Sequence, residues 1–402
     1  MNLYSGDPFW LVKNGYQQAY PTLKKDISCD VAVIGGGITG ALISYYLQKS
    51  GAKVVVAERR HIGFGSTCAS TALLQYEIDT PLTELRKLAG KKNAAESYLL
   101  CVRAIRELKK IADEIAIDCK FGFKKSLYLA SRPSHVAKME KELEARREIG
   151  IRVKLLNAEQ VKKMTGLTAP AALYSDDAAE MDPYLFTQGL FQYLTGKGVQ
   201  AFDLTEVKSI RENAKGAKLI CANGSVISCK KFVFANGYES QSDVKEKLVE
   251  LHSTYVIISK PLTNKDVRFL KPLIWESDRP YLYMRSTGDN RIIVGGKDEP
   301  FYDPEERDRL IGPKSKALKK AFEKKFPHIP FETDFSWAGT FANTKDGLPY
   351  IGANSRYKHA HYALGFGGNG IIFSQVAGEL ISGTLYGNKN GHPAFSFQRK
   401  MA

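Results

Sequence analysis

The sequence predicts an α/β chain of two domains: a parallel-sheet nucleotide-binding domain and an inserted antiparallel β-sheet domain. Three observations predict it. Residues 29–58 fit a strand, glycine turn, helix, strand and acid in that order. Residues 207–294 hold a succession of short strand-like runs, and a second glycine-dense turn, Leu364–Ser374, opens a helix at the opposite end of the chain. A length of 402 residues also exceeds what one hydrophobic core usually organises.

In the first unit, the apolar run Val31–Ile34 is a buried strand, Ala41–Ser50 a helix closed by Gly51, and Val54–Ala57 a second strand. Gly35, Gly37 and Gly40 form the G-x-G-x-x-G turn between strand and helix. Gly35 permits the tight turn, Gly37 lets the backbone approach a pyrophosphate, and Gly40 allows close helix–strand packing. Ile38 and Thr39 lie at the helix N-terminus, where free N–H groups and a partial positive charge face phosphates. Glu58, 23 residues after Gly35 at the tip of the second strand, can accept hydrogen bonds from a ribose, with Arg59 beside it. The unit as a whole reads as dinucleotide-binding.

Composition sets the outer limits. No apolar run approaches the ~20 residues needed to span a bilayer, and the N-terminus lacks the apolar stretch of a signal peptide. Six scattered cysteines without a C-x-x-C pair suit a reducing cytoplasm and give no zinc or other metal site. His359 and His361 read as a loop pair. The net charge is +15, but no nucleic-acid motif accompanies it. Pro313–Lys325 instead reads as an amphipathic helix with Leu318, Ala321 and Phe322 inward and lysines in solvent, so a nucleic-acid partner is not expected.

After Glu58, the small and hydroxyl residues of 63–71 run directly into apolar Ala72, Leu73 and Leu74, as for a loop that lines a site. Residues 81–116 have helical periodicity, Phe121–Ser131 reads as a strand, Val136–Ile149 as a helix, and Pro183 opens another. Val207–Ile210, Lys218–Ala222, Ser225–Ser228 and Lys231–Ala235 alternate as a meander turning at Asn223-Gly224. The last run exits through Ala235-Asn-Gly237, a second close approach to a cofactor. Tyr255–Ile258, Tyr281–Arg285 and Arg291–Val294 follow as strands, and alternation sets Tyr281, Tyr283 and Arg285 on one face, a candidate pocket wall. The expected nucleotide domain is 1–90, 150–240 and 335–402; the inserted substrate domain is 91–149 and 241–334.

Three motifs in order carry a resemblance over nearly the whole chain. They are Gly35–Gly40 with Glu58, the segment from Trp337-Ala-Gly339 through Thr344-Lys-Asp-Gly-Leu-Pro-Tyr-Ile-Gly352, and the Gly365–Gly370 turn. Together they resemble the D-amino-acid oxidase (DAO) family of FAD-dependent oxidoreductases, which includes glycine, sarcosine and γ-glutamylputrescine oxidases. The resemblance implies a Rossmann-like FAD-binding domain of the DAO/glutathione-reductase-2 type and FAD as cofactor. It also implies oxidation of a C–N bond in an amine or amino acid, with hydride passing to flavin N5 and an imine that hydrolyses. Glu58 would hold the ribose, Ser66, Thr67, Ser70 and Thr71 would lie along pyrophosphate and flavin, and Val207 would meet the adenine. Gly367, Gly368, Asn369, Gly370 and Ile371 would sit at the flavin N1–C2 carbonyl, where the helix N-terminus stabilises reduced flavin.

The chain departs from the family where substrate is held. An arginine that clamps a carboxylate in glycine-oxidase-like members is matched by Phe341, which has no fork of donors. Arg285 is the replacement expected if an amino acid binds; an amine or polyamine would need none, and an aromatic ring can contact its cation. Tyr283, Arg285 and Gln75 are the expected substrate contacts. The lysine that promotes reaction with oxygen in sarcosine oxidases is matched by Ile293, which leaves oxygen and another electron acceptor both open. No cysteine stands near Phe341, so FAD is expected to be non-covalent. Two alternatives remain at this point: a tRNA-modifying DAO-like flavoenzyme, and a flavoprotein subunit without amine oxidase activity of its own.

Overall fold

The computed structural model describes residues 2–399, which form two sheets with a large cavity between them. The smaller sheet orders its strands Tyr350–Gly352, Ala360–Leu364, Val226–Phe234, Ile27–Ile34, Val54–Ala57 and Gln200–Phe202. Along this order all pair in parallel except the first, an antiparallel edge, and Ala217–Cys221 adds antiparallel pairings to Val226–Phe234 and to Val207–Glu212. Both faces are covered, which is why Val31–Ile34 and Val54–Ala57 are apolar throughout. Val31, Val33, Val54 and Val56 pack against helices Ile38–Lys49, Lys91–Glu114, Pro183–Gly196 and Gly370–Tyr386. The alternate residues Ala32, Val55 and Ala57 meet Leu219, Ile227 and Tyr362 on the other face.

The larger sheet runs Tyr4–Gly6, Thr333–Asn343, Glu250–Ser259, Ile292–Glu299, Leu282–Ser286, Leu273–Glu276, Gly122–Leu129, Ala171–Glu180 and Leu73–Gln75, with Val153–Asn157 also paired to Ala171–Glu180. It is antiparallel save between Gly122–Leu129 and Leu273–Glu276. Helix Pro304–Lys325 lays Leu318 and Phe322 on Tyr255, Ile257, Met284 and Val294 to form its core. Among the described residues no helix is long and apolar enough to cross a membrane.

Several sequence boundaries move. Tyr4–Gly6, Leu73–Gln75, Val153–Asn157, Ala171–Glu180 and Thr333–Asn343 hydrogen-bond into the larger sheet, although most of their residues were assigned to the nucleotide domain. Helix Lys91–Glu114 buries Tyr98, Cys101, Ile105 and Leu108 in the smaller sheet's core, so it does not belong to the inserted part. The two runs 225–228 and 231–235 are one strand, Val226–Phe234. Pro313 lies inside its helix, because Asp303 caps the start by accepting from Glu305 N and Glu306 N, with Pro304 as the first helical residue. His361 is in strand rather than loop, buried in parallel register with Val233.

Candidate active site

The strand ending at Leu364 and the strand ending at Ile34 both exit through glycine, and the two turns face one cavity of about 900 Å³. Gly35 has φ +114°, and a Cβ there would stand 2.6 Å from the Ala235 carbonyl oxygen. The Val226–Phe234 strand therefore reaches the turn closely enough for Ala235, Asn236 and Gly237 to line the same cavity. Gly40 does not line it. Its Cβ would fall 1.9 Å from the Gly35 oxygen, so this glycine serves helix–strand packing alone.

Glu58 is held at the tip of its strand by two backbone donors, Gly36 N to Oε2 and Arg60 N to Oε1, each at 2.7 Å. Burial nevertheless pushes its carboxyl up, the two N–H groups acting in the opposite sense. Arg59 pairs with Glu239. Sequence expected free N–H groups at the helix N-terminus after Gly37, but one of them is engaged: Ile38 N donates to Thr67 Oγ1 at 3.0 Å. Thr39 Oγ1 meets Ser374 Oγ at 2.7 Å, tying the first helix to the Gly370–Tyr386 helix.

The segment Ser66–Thr71, which opens with the helical turn Ser66–Ala69, is fixed from behind. Trp337 Nε1 donates to the Ala69 carbonyl at 2.9 Å, Trp10 Nε1 to that of Ser70 at 2.7 Å, and Arg285 Nε to that of Thr71 at 2.8 Å. Three successive carbonyls are thus satisfied inside the protein, while Ser66, Thr67, Ser70 and Thr71 line the cavity.

Arg285 corrects the sequence reading. Its strand does present Tyr281, Tyr283 and Arg285 on one side, but only the tyrosines line the cavity. Arg285 is 2% exposed and lies behind the loop, bound to Glu180 Oε2 at 2.9 Å as well as to Thr71. Burial lowers its pKa, with Glu180 opposing. Its guanidinium therefore stands outside the cavity that a substrate carboxylate would enter. Gln75 does line the cavity, and donates to Ser126 Oγ at 3.4 Å.

Sequence reasoning missed three carboxylates on the larger sheet's wall. From Leu73 the chain alternates, with Leu73, Gln75, Glu77 and Asp79 on the cavity and Leu74, Tyr76 and Ile78 in the core. Asp79 accepts from Tyr281 OH and from Gly368 N, each at 2.9 Å, so a carboxylate already meets the second helix N-terminus. Asp298 lies beyond Gly295-Gly296, because the strand continues through those glycines to Glu299. Gly295 leaves room for the Tyr283 ring, 2.3 Å from where a Cβ would be. Burial pushes the Asp298 carboxyl up from 3.8 to about 6; Asp79 adds to this, while Thr254, Arg279 and Lys314 pull it down.

The FAD dependent oxidoreductase (DAO) family model matches residues 30–383. The chain belongs to this family. Among curated relatives of this FAD-dependent oxidoreductase, γ-glutamylputrescine oxidoreductase of Escherichia coli (strain K12) is 26% identical over 94% of this chain and 88% of its own length. Glycine oxidase of Bacillus licheniformis is 27% identical over 93% of this chain and 98% of its own. Among solved structures, glycine oxidase from Geobacillus kaustophilus superposes with a TM-score of 0.79 at 22% identity, covering 93% of this chain and 100% of its own.

FAD fits the residues present. Glycine turns on both sides admit backbone close to a ligand, a carboxylate ends the second strand, and the volume is at the upper end of ligand pockets. Gly35, Gly37, Ile38, Thr39, Glu58, Arg59, Val207, Ala235, Gly237, Gly339, Gly365, Gly367, Gly368, Asn369, Gly370 and Ile371 all line it, with the 66–71 hydroxyls.

Proposed function

We propose that this family member oxidises the C–N bond of an amine that lacks a carboxylate beside the reacting carbon. When bound, FAD supplies the two-electron acceptor that takes hydride from that carbon, leaving an imine for water to hydrolyse. The observation that carries the reading is the wall built by the larger sheet. Trp275, Tyr281, Tyr283 and Phe341 line it together with Glu77, Asp79 and Asp298, and among the described residues no arginine or lysine lines this wall. The cations that line the cavity, Arg59, Arg60 and Lys208, are on the other sheet's side, next to Glu58 and Val207. A carboxylate ligand would meet acids here, whereas an amine meets aromatic faces and carboxylates.

In this reading Glu58 holds the ribose, the 66–71 hydroxyls the pyrophosphate and Val207 the adenine, with the Gly367–Ile371 turn at the flavin carbonyl. Tyr283 and Gln75 orient the substrate. The FAD is non-covalent, since none of the six cysteines lines the cavity. Ile293 is buried among Phe9, Trp10 and Trp337 and lies outside the cavity lining, so oxygen and another electron acceptor both stay open. Six unpaired, buried cysteines suit a cytoplasmic enzyme.

The test is anaerobic mixing of the FAD-loaded protein with alkylamines, N-methylamines, D- and L-amino acids and 2-hydroxy acids, following the flavin absorbance. Bleaching by amines and not by α-amino acids is expected. Bleaching by α-amino or hydroxy acids alone would overturn the assignment.

A further inference from the structure

Glu77 and Asp298 line the cavity, and each has one buried carboxylate oxygen with no hydrogen-bond donor among the described residues. Glu77 is 4% exposed; its Oε1 accepts from Ser126 Oγ at 2.8 Å and lies 3.5 Å from Arg146 Nη1, while its Oε2 has no partner. Asp298 Oδ1 is likewise unpartnered. An unmet carboxylate oxygen away from water is costly unless a ligand supplies the donor. Asp79 stands with them, already engaged by Tyr281 and Gly368. The aromatic rings on this wall are continuous: Trp275 stacks on Tyr128 at 3.9 Å and meets Tyr281 edge-on at 6.2 Å, and Tyr281 meets Tyr283 at 5.8 Å.

We propose that Glu77, Asp79 and Asp298, with Trp275, Tyr281 and Tyr283, form a subsite for a second cationic centre of the substrate, so that the substrate class is diamines and longer polyamines. This rests on the amine reading above. The reacting nitrogen must be uncharged for hydride to leave the adjacent carbon, and neighbouring carboxylates favour the charged form of an amine. The acids are therefore suited to a nitrogen that stays protonated throughout. Rings beside them add attraction for that same charge through their faces. An alkyl chain between the two nitrogens would set the distance from this subsite to the reacting carbon, as remote binding energy does in orienting substrates.

The test compares propylamine through hexylamine with the matching α,ω-diamines, as anaerobic flavin reduction by the FAD-loaded enzyme. Diamines are expected to exceed monoamines in kcat/KM by about tenfold or more at one chain length, the size of one well-placed charged contact. Asp298→Asn and Glu77→Gln should each lower the diamine-to-monoamine ratio by about tenfold. An unchanged ratio in both variants overturns the subsite. If the variants do not fold, the parent decides: an α,ω-diamine with two methyl groups on each nitrogen-bearing carbon, which keeps its N–H donors but has no hydride to lose, should perturb the flavin spectrum and compete with the diamine. Failure to compete, or equal kcat/KM for monoamines and diamines, rejects the subsite while leaving amine oxidation standing. Flavin that no amine bleaches removes the reading on which it rests.

Discussion

Arg285 Nε donates to the Thr71 carbonyl at 2.8 Å, with the same guanidinium paired to Glu180. The strand residue that sequence placed in the substrate pocket is thus a support for the loop that lines it. Arg285→Leu leaves Glu180 with Lys124 as its remaining cation, at 2.9 Å, so the destabilisation should be about 3 kcal/mol, the low end for breaking a buried pair. The Thr71 carbonyl also loses its donor. Weaker FAD retention and a lower melting temperature are expected, with KM for amines unchanged in the fraction that keeps flavin. A raised KM at full flavin content would put the guanidinium back in contact with substrate.

Gly40 and Gly51 separate packing from conformation. At Gly40 a Cβ would stand 1.9 Å from the Gly35 oxygen, whereas at Gly51, with φ +82°, nothing lies within 4 Å. Gly40→Ala must move helix Ile38–Lys49 off its strand, and should cost about 3 kcal/mol or more and yield flavin-free protein. Gly51→Ala carries only the left-handed backbone penalty, about 1 kcal/mol, and should retain flavin. Equal melting temperatures and equal flavin content for the two variants would contradict this packing role.

Asp298 links the cavity to stability through pH. Its carboxyl is held at about 6 against an ordinary 3.8, so the folded chain binds this proton more tightly than the unfolded chain. The raised value helps folding below about pH 4 and penalises it as pH climbs past about 6. Asp298→Asn is neutral throughout. The variant's melting temperature, relative to the parent's, should accordingly rise between about pH 4 and pH 8 in flavin-free protein. A difference that stays flat over that range would show that Asp298 titrates normally.

Much of this was legible before the structure. The Gly35–Glu58 unit works locally, through a strand, a turn and a helix adjacent in sequence, so spacing alone reveals it. Domain membership was not, because strands such as Thr333–Asn343 are assigned by partners far away; Trp337 and Phe341 pair with Val256 and His252. Arg285 shows the limit of alternation: period two gives the face of a strand, but not what covers that face farther along. The alternation from Leu73 to Asp79 was readable as a signal, and would have found Glu77 and Asp79. Asp298 was hidden by Gly295-Gly296, which look like a strand end yet continue the ladder because the Tyr283 ring occupies the space of a side chain at Gly295 and the Tyr281 carbonyl that of one at Gly296.

Phe341 tests the substrate assignment directly. It lines the cavity from the strand beside His252, ring centroids 5.4 Å apart, on a wall whose ionisable groups include Glu77, Asp79 and Asp298. Phe341→Arg supplies the fork of donors that a substrate carboxylate needs, and places a like charge near any amine. Glycine and alanine should then bleach the flavin measurably faster than with the parent, by about tenfold to a hundredfold for one charged, hydrogen-bonded contact. Alkylamines should lose kcat/KM in the same variant. If the amino acids gain nothing while flavin content is retained, the new guanidinium is neutralised by the neighbouring carboxylates. In that case Phe341→Arg combined with Asp298→Asn should recover the gain, and a double variant equally inactive toward amino acids would exclude position 341 from reading the substrate.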